Sequence, residues 1–228
     1  MTQRPRIVVV GSVNTDLVIR VPHLPAPGET ITGSDFHTLP GGKGANQAVA
    51  AARQGALVHF VGAVGSDDFG ARQRQGLAQV GIDLSHLATV EGMATGVAMI
   101  AIDAQGQNMI VLSEGANGSV SVRQVEAAES IIESADVLLC QLETPLPAVV
   151  RAIEIAHAHG VPAMLNPAPA RPLENALLAK LAYLLPNETE AALLTGMPVA
   201  QVDDARRAAQ QLCAAGALRV LVTLGARG

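Results

Sequence analysis

The sequence contains no tryptophan, one tyrosine and three phenylalanines, so aromatic residues make up only 2% of its 228 positions. A core must therefore be built from small aliphatic side chains, and these are abundant because 49% of the residues are hydrophobic. Charged residues account for 15%. This composition excludes a disordered chain and is typical of a globular protein with one sizeable domain.

Lysine is nearly absent, since Lys43 and Lys180 are the only two, and no block of basic residues occurs in a chain of formal net charge −5. A nucleic-acid interface needs a basic face, so we expect small-molecule partners and no nucleic acid. No apolar run approaches the ~18 residues of a spanning helix, and the run 7–10 is too short for a signal peptide. We therefore expect a cytoplasmic protein with no membrane partner.

Cysteine is equally scarce. Cys140 and Cys213 fit neither a CxxC motif nor a zinc-site spacing. Two such isolated thiols suit a reducing compartment, and we expect both to be buried structural residues.

Short apolar runs alternate with longer helical patterns, as happens when crossover helices join parallel strands. The predicted strands are 7–10, 58–64, 137–142, 162–165, 183–185 and 219–223. The predicted helices are 45–54, 71–80, 122–134, 147–159, 188–194 and 202–214. The pattern predicts the α/β class with an open, mainly parallel sheet.

Two stretches, at about 17–40 and 96–113, break this alternation and indicate strands without an intervening helix. Together they could form a small sheet that projects from the main one. Such a sheet could be a lid or a dimer surface, or it could be a passive insertion.

Polar side chains follow the first predicted strand. Asn14 and Asp16 lie just beyond the carboxyl edge of a parallel sheet, where open α/β sheets bind ligands. A carboxylate accepts hydrogen bonds from two adjacent hydroxyls while an amide both donates and accepts, so the pair suits a polyol. The alternative is a structural Asx turn that leaves the strand.

A glycine-rich segment, 41–46, precedes the first predicted helix and places Lys43 among three glycines. Glycines let backbone N–H groups approach a ligand, and the helix start adds its positive dipole end. Two familiar motifs fail here. A Walker loop would need glycine at His37 and Ser or Thr at Gly44, and a dinucleotide fingerprint would need Gly or Ala at Gln47. A nicotinamide oxidoreductase is therefore disfavoured, while a simple tight turn stays open.

Three further strand ends carry polar residues. Glu143 follows the buried run 137–142, Asn187 and Glu190 follow 183–185, and a glycine-rich turn follows 219–223. All lie at the edge that holds Asn14 if the strands are parallel. Asn187 and Glu190 also have the spacing of a helix-capping arrangement, which is the structural alternative.

With these motifs in place, the sequence resembles the ribokinase family of sugar kinases. The resemblance is carried in order by segments 11–16, 41–48, 141–143, 165–169, 186–190 and 222–228, of which 41–46 is quite specific. It implies a Rossmann-like, doubly wound α/β fold with a small β-sheet lid, which in this family also forms the homodimer contact.

The resemblance also implies roles for individual residues. The pentose hydroxyls would be held by Asn14, Asp16, Gly42, Asn46 and Glu143, in a pocket also lined by Thr15, Lys43, Gly44 and Ala45. ATP would contact Asn187 and the turn formed by Thr223, Leu224, Gly225, Ala226, Arg227 and Gly228. Glu190 would help to organise Mg²⁺ through water. The implied reaction transfers the γ-phosphoryl group of ATP to O5 of D-ribose and gives ribose 5-phosphate.

The family takes its catalytic base from a Gly-Ala-Gly-Asp motif downstream of a Thr-x-Gly turn, and its monovalent-cation (K⁺) loop also lies downstream. We therefore expect the base Asp beyond Gly228. Residues 1–228 are expected to be a single domain truncated at its C-terminus, and inactive as a polypeptide of this length. The alternatives are a kinase for deoxyribose or another small sugar or nucleoside, and a sugar-binding protein without catalysis.

Overall fold

The structure, a computed structural model, describes residues 4–228. The strands in this range are β1 Arg6–Val10, β2 Asn14–Arg20, β3 Ser34–Gly41, β4 Leu57–Gly65, β5 Asp83–Val90, β6 Gly96–Ile102, β7 Asn108–Ser113, β8 Val137–Cys140, β9 Ala163–Leu165 and β10 Tyr183–Leu184. The helices are α1 Lys43–Arg53, α2 Asp68–Gln79, α3 Val122–Ala127, α4 Glu129–Glu133, α5 Leu146–Ala158, α6 Asn175–Leu178, α7 Glu188–Thr195 and α8 Val202–Ala214.

The main sheet has six strands in the order β10-β9-β8-β1-β4-β5, and every neighbouring pair is parallel. The chain runs outward from β1 to β4 and β5 on one side and from β8 to β9 and β10 on the other. The order therefore reverses between β1 and β8, which is the switch point where doubly wound sheets bind ligands. This architecture confirms the predicted fold class.

The core lies on both faces of this sheet. Along β1, Val8 and Val10 pack into one cluster with α3, α4 and α5, while Val9 packs into the other with α1 and α2. Successive side chains of a strand point to opposite faces, so a run of β-branched residues is buried on both sides. The sheet therefore lies between two layers of helices.

A second sheet of four strands has the order β3-β2-β6-β7, with β2 and β6 parallel and both outer pairs antiparallel. Its strands lie within residues 14–41 and 96–113, close to the predicted segments 17–40 and 96–113. We call this sheet the lid. Its outer hairpin turn is closed by Asp103, whose Oδ1 accepts from the N–H groups of Gln105 and Gln107.

The root of β6 is tied to the start of α2 by Asp67. The carboxylate accepts from the N–H (2.9 Å) and hydroxyl (2.6 Å) of Thr95 and from the N–H of Gly70 (2.8 Å). Burial alone would raise the pKa of Asp67, but these hydrogen bonds outweigh it and hold the pKa below its ordinary value. These contacts fix the start of the lid strand β6 to the main body.

Two expectations about secondary structure were wrong. The segment 219–223 forms no continuous strand, since it pairs with the β10 segment at only two bridges, Val220 to Leu184 and Thr223 to Asn187. Pro186 lies between the two partners and has no N–H to complete the ladder. The predicted helix 122–134 is interrupted at the buried Ala128, where φ is −99° and ψ is 7°.

The two cysteines differ. Cys140 on β8 is buried, and burial raises the pKa of its thiol. Cys213 is exposed, which corrects the expectation of burial. α8 packs through Ala205, Ala208 and Leu212, and the next residue along the helix turns away from this stripe. No helix within residues 4–228 is both long and apolar enough to cross a membrane.

Candidate functional site

A cavity of about 170 Å³ lies between the lid and the carboxyl edge of the main sheet, beside the switch point. One side of it is polar and is formed by the start of the lid strand β2, the first turn of α1 and Glu143 after β8. The other side is apolar and comes from the inner face of the lid. Its lining residues are Asn14, Asp16, Gly42, Lys43, Asn46 and Glu143 on the polar side and Ala98, Ile100, Ile110 and Leu112 on the apolar side.

Asp16 is a half-buried carboxylate of β2 that accepts no hydrogen bond from any described residue. It packs over Gly41 of β3, where an added Cβ would lie only 2.1 Å from its Oδ1. Burial raises the pKa of Asp16, the nearby Glu143 carboxylate raises it further, and Lys43 opposes both. The free carboxylate oxygens are therefore available to accept hydrogen bonds from a ligand.

Glu143, unlike Asp16, accepts hydrogen bonds from the protein and pairs with Lys43. Its Oε2 accepts from the Ser12 hydroxyl (2.5 Å) and from the backbone N–H of Lys43 (3.1 Å), and its Oε1 lies 3.4 Å from the Lys43 ammonium. These contacts join the ends of β1 and β8 to the N-terminus of α1. A carboxylate at a helix N-terminus is also stabilised by the helix dipole.

The turn into α1 needs glycine at two positions. Gly42 has φ of 93°, and a Cβ there would lie 2.7 Å from the backbone N of Asn14. A Cβ at Gly44 would lie 2.6 Å from the backbone N of Ser12. α1 therefore starts in direct contact with the chain that follows β1, which places Lys43 and Asn46 at the cavity.

Three predicted pocket residues face elsewhere. The Thr15 hydroxyl accepts from Gln73 Nε2 at 3.1 Å, on the opposite face of β2 from Asn14 and Asp16. Gly44 packs against the backbone after β1, and Ala45 and Thr15 line a neighbouring cavity of about 410 Å³ between α1 and α2. The alternation of side chains along β2 separates Thr15 from its neighbours.

The predicted nucleotide residues gather at the end of β10. Asn187 Oδ1 accepts from the Glu190 N–H (2.8 Å), and Glu190 accepts from the N–H (2.8 Å) and Nδ2 (3.0 Å) of Asn187. This capping box is the arrangement that the structural alternative requires. Thr223 is bridged to Asn187, and residues 225–228 are exposed. Arg227 pairs with Glu188.

The residues that line the cavity and the residues that follow β10 share one edge of the sheet. Glu143 follows β8 and Asn187 follows β10, which is two strand spacings away, or about 10 Å. All of the strands between them are parallel, so both groups lie at carboxyl ends.

Sequence reasoning missed two polar residues beside the cavity. Ser12 holds Glu143, and Asn117, in the turn Gly115–Ser119 after the lid, holds Asn14 through a 2.7 Å hydrogen bond. Asn117 is 103 residues distant from Asn14 in the chain, so no local pattern connects them. The local sequence signal is weak, since an Asn directly before a glycine, here Gly118, is typical of an ordinary turn.

A doubly wound parallel sheet, a polar cavity at its switch point and a small β lid define an α/β protein with a ligand-sized polar cavity beneath a lid. The family model for pfkB family carbohydrate kinases matches residues 4–228, and the chain belongs to this family. The resemblance stated from the motifs is confirmed.

Individual relatives are similar over nearly the whole chain. A ribokinase of Haemophilus influenzae is 47% identical over 225 residues, which are 99% of this chain and 74% of that protein. A deoxyribokinase of Salmonella typhi is 38% identical over 97% of this chain and 73% of that protein. The structure of an Arabidopsis thaliana ribokinase complexed with ribose and ATP has a TM-score of 0.87 and 34% identity, covering 99% of this chain and 74% of that one.

Proposed function

We propose that this carbohydrate kinase binds D-ribose in the cavity beneath the lid, as the substrate for ATP-dependent phosphorylation at O5 that gives ribose 5-phosphate. The observation that carries the proposal is the Asp16 carboxylate, which is half-buried beside the switch point and accepts no hydrogen bond from residues 4–228. The relatives named as ribokinases support it, as does the neighbour complexed with ribose and ATP.

The cavity suits a pentose in size and chemistry. About 170 Å³ accommodates one small molecule. Asp16 accepts hydrogen bonds from two adjacent hydroxyls, while Lys43 and Asn46 supply donors. The apolar inner face of the lid covers the C–H surface of the sugar and keeps water away from it.

For the phosphoryl donor we propose the end of β10. ATP with Mg²⁺ would supply the transferable phosphoryl group and a charge to neutralise it. Both oxygens of Glu190 already accept hydrogen bonds from Asn187, so Glu190 fits a contact to Mg²⁺ through water rather than direct ligation. Asn187 and the turn Thr223 to Gly228 would line the nucleotide. A K⁺ site and the cytoplasmic location stay predictions.

The described residues leave the role of catalytic base open. Asp16 and Glu143 are the carboxylates that line the cavity, and Glu143 is held by Ser12 and Lys43 while Asp16 is assigned to sugar hydroxyls. For a polypeptide of these 228 residues we therefore propose sugar binding with phosphoryl transfer at least about 10²-fold slower than an ordinary kinase.

The test is calorimetric titration of the 228-residue chain with D-ribose, 2-deoxyribose and ATP, beside an assay of ADP formation. We expect ribose to bind at least tenfold more tightly than 2-deoxyribose, because the additional hydroxyl hydrogen-bonds with a group that would otherwise stay unpaired (about 1.4 kcal/mol or more). Preference for deoxyribose would favour the alternative substrate. Sugar affinity without nucleotide affinity would favour a binding protein, and absence of sugar binding would refute the proposal.

We also propose that the outer face of the lid pairs with a second copy of the chain. This face carries Leu17, Ile19, Phe36, Met99, Met109 and Val111 around a groove of about 340 Å³. Phe36 is 62% exposed, and Met99 and Val111 are more than half exposed. A contiguous apolar patch on a sheet face is typical of a protein interface, and a self-complementary patch closes as a two-fold dimer.

The expected result for Phe36→Glu is a monomer, because the charge would have to be buried in the apolar interface. Sedimentation equilibrium measures the mass of the parent chain and of the variant. Val202→Glu is the control, since Val202 is also half exposed but begins α8, where an acidic residue is tolerated. A monomeric parent chain, or a dimeric Phe36→Glu variant, would contradict the proposed interface.

A further inference from the structure

We infer that Asn117 is a positioning residue that fixes Asn14 as a hydrogen-bond donor toward the sugar. The inference rests on the proposed function, since it assigns Asn14 a role in sugar binding. Both side chains are almost fully buried, with Asn14 3% and Asn117 1% exposed. Because hydrogen bonds at buried amides are costly to leave unmade, their orientations are tightly specified.

The backbone of Val13 sets the orientation of Asn117. Asn117 Oδ1 accepts from the Val13 N–H at 2.8 Å, and Asn117 Nδ2 donates to the Val13 carbonyl at 3.0 Å. An N–H can only donate and a carbonyl can only accept, so reversing the amide would break both bonds. The two hydrogen bonds to Val13 therefore fix which end of the Asn117 amide is Oδ1 and which is Nδ2.

The orientation of Asn117 in turn sets that of Asn14. Asn117 Nδ2 donates its second proton to Asn14 Oδ1 at 2.7 Å. Only an acceptor can face this donor, so the Oδ1 of Asn14 is turned toward Asn117. The Nδ2 of Asn14 is left for the cavity that Asn14 lines.

Glycine at the root of the lid makes room for this contact. A Cβ on Gly96 would lie 2.2 Å from Asn14 Oδ1 and 2.3 Å from Asn117 Nδ2. Gly96 is also the residue paired with Asn14 in the parallel register of β2 and β6. The hydrogen bonds from Val13 to Asn117 and from Asn117 to Asn14, which we call the relay, therefore lie between the lid and the main body.

The relay gives the polar side of the cavity a defined polarity. Asn14 donates to a sugar oxygen, while Asp16, two residues along the same face of β2, accepts hydroxyl protons. A hydroxyl can satisfy both demands because it donates and accepts at once. A ligand group that only donates or only accepts hydrogen bonds cannot satisfy both Asn14 and Asp16.

A double-mutant cycle on ribose affinity tests the inference, with the variants Asn117→Ala, Asn14→Ala and their combination. Each single variant is expected to weaken ribose binding by about tenfold, and the combination is expected to be no weaker than Asn14→Ala alone. Ser119→Ala is the control, because among residues 4–228 the Ser119 hydroxyl bonds only to the Ala116 carbonyl of the same turn (2.7 Å). Unchanged affinity in Asn117→Ala, or effects that multiply, would overturn the assignment.

A second variant covers the case in which Asn117→Ala does not fold. Asn117→Asp keeps the volume but replaces the Nδ2 donor with an acceptor that faces both the Val13 carbonyl and Asn14. Asn14 must then reverse, and ribose affinity must fall about tenfold. The Asn14 side-chain amide resonances, assigned by their loss in Asn14→Ala, give a readout without sugar. They are expected to shift in either Asn117 variant, and constant resonances would overturn the relay. A parent chain that binds no ribose would refute only the proposed function, since these resonances still decide the relay.

Discussion

Asp16→Ala is expected to weaken ribose binding by at least about 100-fold. The carboxylate accepts hydrogen bonds from two sugar hydroxyls, and each charge-assisted bond contributes about 1.5–3 kcal/mol, so losing both costs about 3–6 kcal/mol. Calorimetric titration measures the change directly. The fold should persist, because no described residue donates a hydrogen bond to Asp16. Ribose affinity within about tenfold of the parent chain would contradict the placement of the sugar.

Asp16→Asn is the matched control, and it separates binding from stability. The pKa of Asp16 is raised by burial and by Glu143, so the charged form destabilises the folded chain at neutral pH and the protonated form does not. Asp16→Asn is therefore expected to melt at a higher temperature than the parent at neutral pH. The difference should vanish once the pH falls below the pKa of Asp16 in the unfolded chain. A lower melting temperature would contradict the electrostatic account.

The same pKa predicts the pH dependence of binding. Ribose needs the ionised carboxylate, so its affinity should fall as the pH drops through the raised pKa of Asp16. The loss should begin at a higher pH than for an ordinary aspartate. Asp16→Asn, which does not titrate at this position, should bind weakly at every pH.

Gly44→Ala is expected to destabilise the chain by about 1–3 kcal/mol and to weaken ribose binding. The added methyl group would lie 2.6 Å from the Ser12 N and 2.7 Å from the Gly11 carbonyl carbon, so α1 must move away from the end of β1. That movement separates Lys43 from Glu143 and displaces Asn46. Chemical denaturation measures the free energy of unfolding, and titration measures the affinity.

Gly76→Ala is the matched control, because Gly76 lies within α2 and an added Cβ there meets nothing within 4 Å. Alanine should raise the free energy of unfolding by about 0.5–1 kcal/mol through its better helix propensity. The two Gly→Ala changes should thus differ in sign. If both stabilise the chain, α1 does not depend on close backbone contact.

The sequence predicted the central parallel sheet well because its inner strands are continuous apolar runs buried on both faces. The edge strand β5, Asp83–Val90, was not predicted, since exposed positions interrupt its partly and fully buried ones and it has no apolar run. Segment 219–223 is the opposite case, an apolar run that does not form a continuous strand. It reads as a buried strand, but Leu221 is 57% exposed, and its ladder is broken opposite Pro186.

The polar strand ends were also readable, because a parallel sheet brings the residues that follow its strands to one edge. Asn14, Asp16 and Glu143 could therefore be placed together from the sequence. The orientation of Thr15 and the relay through Asn117 could not. Both depend on tertiary contacts, from Gln73 and from a turn beyond the lid, that no local period contains.

The most direct test of the central claim is a crystal structure of the chain soaked with D-ribose. The account predicts density for the sugar between Asp16 and Asn14, beside Lys43 and Asn46 and under the apolar face of the lid. Both oxygens of Asp16 should lie within hydrogen-bond distance of hydroxyls, and Asn14 Nδ2 should point at a sugar oxygen. Ribose bound elsewhere, or facing Asp16 with no hydroxyl, would contradict the account.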